Sequence, residues 1–215
     1  MATVYKKGNS WICSGFGPSA CNVSTTTVTF EGLVQQLPTS KRHLLKIVKK
    51  ENLELLAQGI REGDILAVSD GSYKDEYGTA AVILIGKNSP CKLIIQAVAP
   101  GDGHDMSSYR SKLTGILATF LVVEKLCQCF SLQSGKIELD CDGLSAIQQS
   151  SIDSLDVNIG APCWDIIGAI RKISSISSIS WTFWHVEGHR DRNKPADQLD
   201  IWEELNVGAD HWTKA

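Results

Sequence analysis

The sequence predicts an α/β domain built on a mixed sheet of five strands, with helices on its faces. Three strands should form an antiparallel meander and two should run parallel beside it. Two observations carry this. Three apolar runs follow one another from Asp64, DILAVSDGS, GTAAVILIGK and CKLIIQAVA, with only short turns between them. Beyond them, helical and strand-like segments alternate, which requires crossover connections and hence parallel strands.

Residues 1–38 are rich in Ser, Thr and Gly and alternate weakly, as in TTTVTF, so two short strands or an ordered arm are expected there. LPTSKRHLLKIVKK reads as a helix over about 40–50, and NLELLAQGI as a second helix from about Asn52, with Gly59 and Gly63 ending it. The three meander strands come next, KNSP turning the chain between the second and third. A helix over about 108–129 places Leu113, Leu117, Phe120, Leu121 and Leu126 on one face. GKIELDCDG is the fourth strand and LSAIQQSS a short helix. PCWDIIGAIRKIS is a longer helix with Pro in its first turn, and SISWTFWHVEG the fifth strand. A final helix begins near Val207. The expected division is a linking segment over 1–63 and the α/β domain over 64–215.

Composition narrows the function. A chain of 215 residues suffices for one ordinary α/β domain with about sixty residues to spare. A hydrophobic share of 43% and a charged share of 21% suit a globular protein. The net charge of −3 attracts no polyanion, so local basic patches or metal ions would have to. Lys41, Arg42, Lys46, Lys49 and Lys50 are the densest basic stretch, read as a solvated helix face. Seven cysteines are odd in number, and Cys127 and Cys129 lack zinc spacing, so reduced cysteines in an intracellular protein are expected. Residues 1–7 do not read as a signal peptide, and with no run of eighteen apolar residues no membrane span is expected.

The chemistry lies in three aspartates: Asp70 in AVSDGS, Asp142 in IELDCDG and Asp210 in LNVGAD. Asp70 and Asp142 each end a strand-like run, and Asp210 opens a helix. A right-handed crossover through the first long helix sets strand four beside strand one, making Asp70 and Asp142 neighbours. Carboxylates on apolar strands are costly unless a cation joins them. Converging carboxylates suit Mg²⁺, and two such ions about 4 Å apart can activate water against a phosphodiester. Taken singly, Asp70 and Asp142 also fit turn or cap positions, Asp140 competes with Asp142 for its role, and Asp210 fits a surface.

These residues carry a resemblance. From about Asp64 onward the chain resembles the ribonuclease H type 1 domain, in the form attached to retroelement reverse transcriptases. DGS resembles the opening of that family's first strand, SYRSKLTGIL its first long helix, and DCDGLSAI its strand-four aspartate. HVEGHRD resembles its Gly-His loop, and NVGAD its closing Asn and Asp. The resemblance implies hydrolysis of the RNA strand of an RNA–DNA hybrid, with two Mg²⁺ or Mn²⁺ ions on Asp70, Asp142 and Asp210. It implies that His189 is a mobile residue aiding metal exchange and product release. It also implies substrate contacts by Ser72, Ser108, Arg110 and Asn206, and a polymerase domain of the same polyprotein as partner. For Arg110 a structural salt bridge is the equal alternative. Residues 1–63 resemble, weakly, the connection that follows the polymerase.

One position departs from the family. Its second acid is Glu, and here Lys112 stands between Arg110 and Leu113. An ammonium cannot ligate Mg²⁺, and repulsion at a few ångströms costs several kcal/mol. Lys112 is instead expected to pair with Asp70 or Asp142. The readings are therefore an impaired hybrid nuclease or a non-catalytic domain of the same fold binding nucleic acid or protein. Integrase-like transposases share the topology but should close their constellation on Glu.

Overall fold

A computed structural model describes residues 3–7, 10–14 and 29–214. Strands β1 (Thr3–Lys7) and β2 (Ser10–Ser14) pair antiparallel in a small sheet of their own. The rest is built on one mixed sheet of six strands flanked by helices.

The sheet order is β3 (Lys46–Glu51), β6 (Lys92–Val98), β5 (Tyr77–Gly86), β4 (Ile65–Lys74), β7 (Gly135–Cys141), β8 (Ile179–His185). The meander β4–β5–β6 is antiparallel as expected. Strands β7 and β8 extend it in parallel, with Ile65 opposite Ile137 and Ile137 opposite Trp181. The crossover from β4 to β7 runs through the meander and α4 (Ser108–Phe130). Helices α5 (Leu144–Ser150) and α6 (Trp164–Ile176) connect β7 to β8.

The structure corrects the sequence reading in several places. The helix expected over 40–50 is only α2 (Thr39–Arg42), and KIVKKE is the sixth strand, β3. Its lysines and exposed positions suit an edge strand, and Ile47 lies opposite Ile95 of β6. The basic stretch is therefore divided: Lys41 and Arg42 end the short helix α2, and Lys46, Lys49 and Lys50 decorate a sheet edge. Gly59 does not end α3 (Leu53–Glu62) but lies inside it, where a Cβ would come 2.6 Å from Ile65 Cδ1. Gly63, in the left-handed conformation, ends the helix. Pro162 precedes α6, which starts at Trp164. Helix α7 (Ile201–Thr213) opens at an Asp200 capping box rather than near Val207. Of TTTVTF, residues 25–28 lie outside the described residues, and Phe30 opens α1 (Phe30–Gln35).

Two apolar layers flank the sheet. One holds Ile65, Ala67, Leu113, Ile116, Phe120, Ile137 and Ile170, beneath α4 and α6. The other is smaller, joining Leu66, Val68, Ile83 and Ile94 to Leu205 and Ala209 of α7. By length and composition α4 could cross a membrane, but here most of it is buried, packed on β4, β5 and α6.

Candidate functional site

Strand β4 is buried through Gly71 and does not end at Asp70; it continues to Lys74. Asp70 follows Leu66 and Val68 on the face toward α7. Gly71 lets α4 come close, because a Cβ there would lie 2.3 Å from the Ser111 carbonyl carbon and 2.4 Å from Lys112 N. Ser107 starts α4 by accepting a hydrogen bond from the Arg110 N–H, 3.1 Å away. Lys112 is thereby delivered from the second turn of α4 to the end of the sheet where β7 stops and Asp142 follows.

Lys112 Nζ donates to Asp70 Oδ1 at 3.1 Å and also to Asp142 Oδ1. Side-chain exposures of 6% for Asp70, 11% for Asp142 and 17% for Lys112 mark a largely enclosed ion triad. Asp70 Oδ1 also accepts the Gly71 N–H at 2.7 Å. Gly143 gives the lysine stem room, since a Cβ there would meet Lys112 Cδ at 2.8 Å. Burial opposes the ammonium, but Asp70 and Asp142 outweigh it and hold the Lys112 pKa above its ordinary value. Burial and the neighbouring Asp142 push Asp70 up to about 6, against the opposing pull of Lys112. The lysine is the charge that lets two buried carboxylates share one place.

Asp140 takes no part in this triad. It lies opposite Val68 on β7, is 1% exposed, and neither carboxylate oxygen has a hydrogen-bond partner. Burial pushes its pKa up to about 7. The amide of Asn206, 3% exposed on α7, likewise has its Nδ2 without a partner.

Lys112 is hydrogen-bonded to none of the other expected residues. Asp210 lies in the last part of α7, not at a helix start, and Lys214 Nζ donates to its Oδ2 at 2.5 Å. Among the described residues no three His, Cys, Asp or Glu side chains form a group that could hold a metal ion. Arg110 is 5% exposed and is taken up by structure: it donates through Nη1 and Nη2 to Asp165 at 3.0 and 2.5 Å, and through Nε to the Pro100 carbonyl at 2.5 Å. Ser108 is exposed at the first position of α4, and Ser72 is half-buried on β4. His189 is exposed in the left-handed conformation, just before a short 3-10 turn.

Sequence reasoning missed Glu203. Its carboxylate, 6% exposed, accepts from Arg190 Nε at 2.9 Å, from Lys194 Nζ at 2.7 and 2.9 Å, and from the Asp200 N–H at 3.1 Å. Lys194 and the Asp200 N–H hold its pKa down to about 2. The signal was present as a basic run, HRDRNK, shortly before the acidic DIWEE.

No family model matches the sequence, and no curated protein does. Among solved structures the chain is similar to an RNase H1 from the halophilic archaeon Halobacterium salinarum NRC-1, at 16% identity and a TM-score of 0.44, over 66% of this chain and 98% of that one. It is similar to LC11-RNase H1 in complex with an RNA/DNA hybrid, at 15% identity and a TM-score of 0.44, over 63% of this chain and 92% of that one. It is also similar to the N-terminal RNase H domain of Rv2228c from Mycobacterium tuberculosis, at 12% identity and a TM-score of 0.41, over 70% of this chain and 98% of that one.

Proposed function

We propose that this chain is a ribonuclease H-type domain for RNA–DNA hybrids, impaired as a metal-dependent endonuclease because Lys112 takes the place of a ligand and of a metal ion. One observation carries the reading: the Lys112 ammonium donates to both Asp70 and Asp142. These are two of the three residues, with Asp210, that the family resemblance makes metal ligands. Two Mg²⁺ or Mn²⁺ ions would supply a hydroxide nucleophile and neutralise the leaving oxygen. The residues present do not fit them. A cation already joins Asp70 to Asp142, and Asp210 is turned to Lys214. No hydrolytic step is therefore assigned to this chain as it stands.

The same observation supports a second reading, a non-catalytic domain of this type that binds nucleic acid or protein with its centre sealed. In both, Ser72, Ser108 and Asn206 remain candidate hybrid contacts and His189 a candidate aid to product release. Arg110 is a weaker candidate, given its pairing with Asp165. A polymerase domain of the same polyprotein as partner belongs to the proposal through the resemblance, and an intracellular setting through the odd number of cysteines, which suits reduced thiols.

The test compares this chain with Lys112→Glu on a labelled hybrid at saturating Mg²⁺ and again with Mn²⁺. The variant should cleave RNA about 10³-fold faster, the equivalent of ~4 kcal/mol in the barrier. Mg²⁺ should raise the melting temperature of the variant, whose three clustered carboxylates need a cation, and leave that of the parent chain unchanged. Equal cleavage rates with equal Mg²⁺ responses would sink the proposal. A metal-responsive but inactive variant would favour the non-catalytic reading.

A further inference from the structure

We propose that Glu203 is a positioning residue, whose carboxylate clasps the loop between β8 and α7 against Asp142 so that the loop governs access to Lys112. The inference rests on reading Lys112 and Asp142 as the functional centre. The loop leaves β8 at His185, whose Nε2 lies 3.2 Å from the Asp142 carbonyl oxygen. Gly188 then passes so near that a Cβ would stand 2.5 Å from Asp142 Oδ2. No larger residue fits unless Asp142 or the loop moves.

Beyond His189 the chain carries Arg190 and Lys194, and both cations turn to the one carboxylate of Glu203. The Asp200 N–H, at the far end of the loop, reaches the same group. Glu203 itself cannot drift, because it sits in the first turn of α7, where Asp200 accepts its N–H in a capping box. Two stretches of one loop are thus tied to a buried anion on a rigid helix, while its start leans on Asp142. Charge-assisted bonds of this kind are stronger than neutral ones. Among the described residues, removing the anion leaves Arg190 with the exposed Glu187 as its one ion-pair partner and leaves Lys194 with none. The loop should then open locally, and the Asp142 side of the ion triad should meet solvent.

The experiment is trace acetylation of the full chain with acetic anhydride, read residue by residue by mass spectrometry. Lys87, a partly exposed surface lysine paired with Glu138, is the internal reference. In Glu203→Gln, well below its unfolding midpoint, Lys112 should be labelled about tenfold faster relative to Lys87, as loss of one charged hydrogen bond would allow. An unchanged Lys112 ratio would overturn the proposal. So would an equal rise at all lysines, which would mark general loosening. If Glu203→Gln does not fold, the double variant Arg190→Met, Lys194→Met removes the clasp from its solvent side, and the same two outcomes decide. The labelling needs neither metal nor nucleic acid, so it stands or falls separately from the hybrid-cleavage test.

Discussion

Asp140 and Asp142 are two residues apart, yet they meet burial in different ways. Asp142 faces a lysine and keeps an ion pair. Asp140 faces the layer under α7 with no well-formed hydrogen bond to either oxygen, and burial outweighs the pull of the Cys141 and Val186 N–H groups, so that its pKa rises to about 7. The sign of its effect on stability follows. A carboxyl whose folded pKa lies above its unfolded value of about 3.8 binds more protons folded than unfolded, so stability falls as pH rises between the two values. Asp70, pushed up to about 6, acts in the same direction over a narrower range. Glu203, held down to about 2, acts oppositely and only in acid, its contribution being lost as pH falls below about 4.5. Asp140→Asn should therefore stabilise the chain at pH 7 to 8, by up to about 4 kcal/mol, and have little effect near pH 4. Urea unfolding at both pH values checks this. A gain of the same size at both would show that the carboxyl is not held protonated by burial.

Helix α4 comes close to β4, and the approach depends on absent side chains. Gly71 faces the backbone of Ser111 and Lys112, and Gly115 lies 3.2 Å, by its would-be Cβ, from the Asp70 carbonyl oxygen. Gly71→Ala has no flexible neighbour to displace, so the start of α4 must shift and carry Lys112 with it. The expected cost is about 3 kcal/mol in unfolding free energy, at the upper end for overpacking. A loss below about 1 kcal/mol by urea titration would mean that the two elements separate easily. Strands β4 to β8 and α4 were legible because their apolar runs are long and their turns short. The stretch 46–51 was not, since an edge strand carrying lysines shows half the apolar signal of a central one and follows a helix start. The start of α7 was missed for a related reason: Asp200 caps it through a side-chain contact with its third residue, while the reading fixed on Asp210. The placing of Lys112 with Asp70 and Asp142 followed from the family resemblance, whose second acid falls at that position. The Arg110–Asp165 pair could not be read, since only the fold brings those two segments together, whereas the Glu203 clasp showed in the sequence only as neighbouring runs of opposite charge.

At the scale of the whole molecule, residues 29–63 pack against the sheet. Phe30, Val34, Leu37, Leu44, Leu45, Leu56 and Ile60 are buried in the same apolar layer as Leu113, Ile137 and Ile170. Strand β3 covers the outer edge of β6, and α3 packs against β7 and α4. A fragment of residues 64–215 would expose this side of the core and leave the β6 edge unpaired. At about 1.5–3 kcal/mol for each large side chain, the lost burial amounts to about 10 kcal/mol or more. That matches or exceeds the stability of an ordinary domain, about 5–15 kcal/mol. The 64–215 fragment should therefore lack a cooperative urea transition, whereas 29–215, which keeps α1, α2, β3 and α3, should retain one. Near-UV circular dichroism of both fragments during urea titration decides between them. A sharp transition in 64–215, with native aromatic signals, would mean that the sheet from β4 to β8 with its own helices is a sufficient folding unit. Residues 29–63 would then be a covering layer that the core can shed.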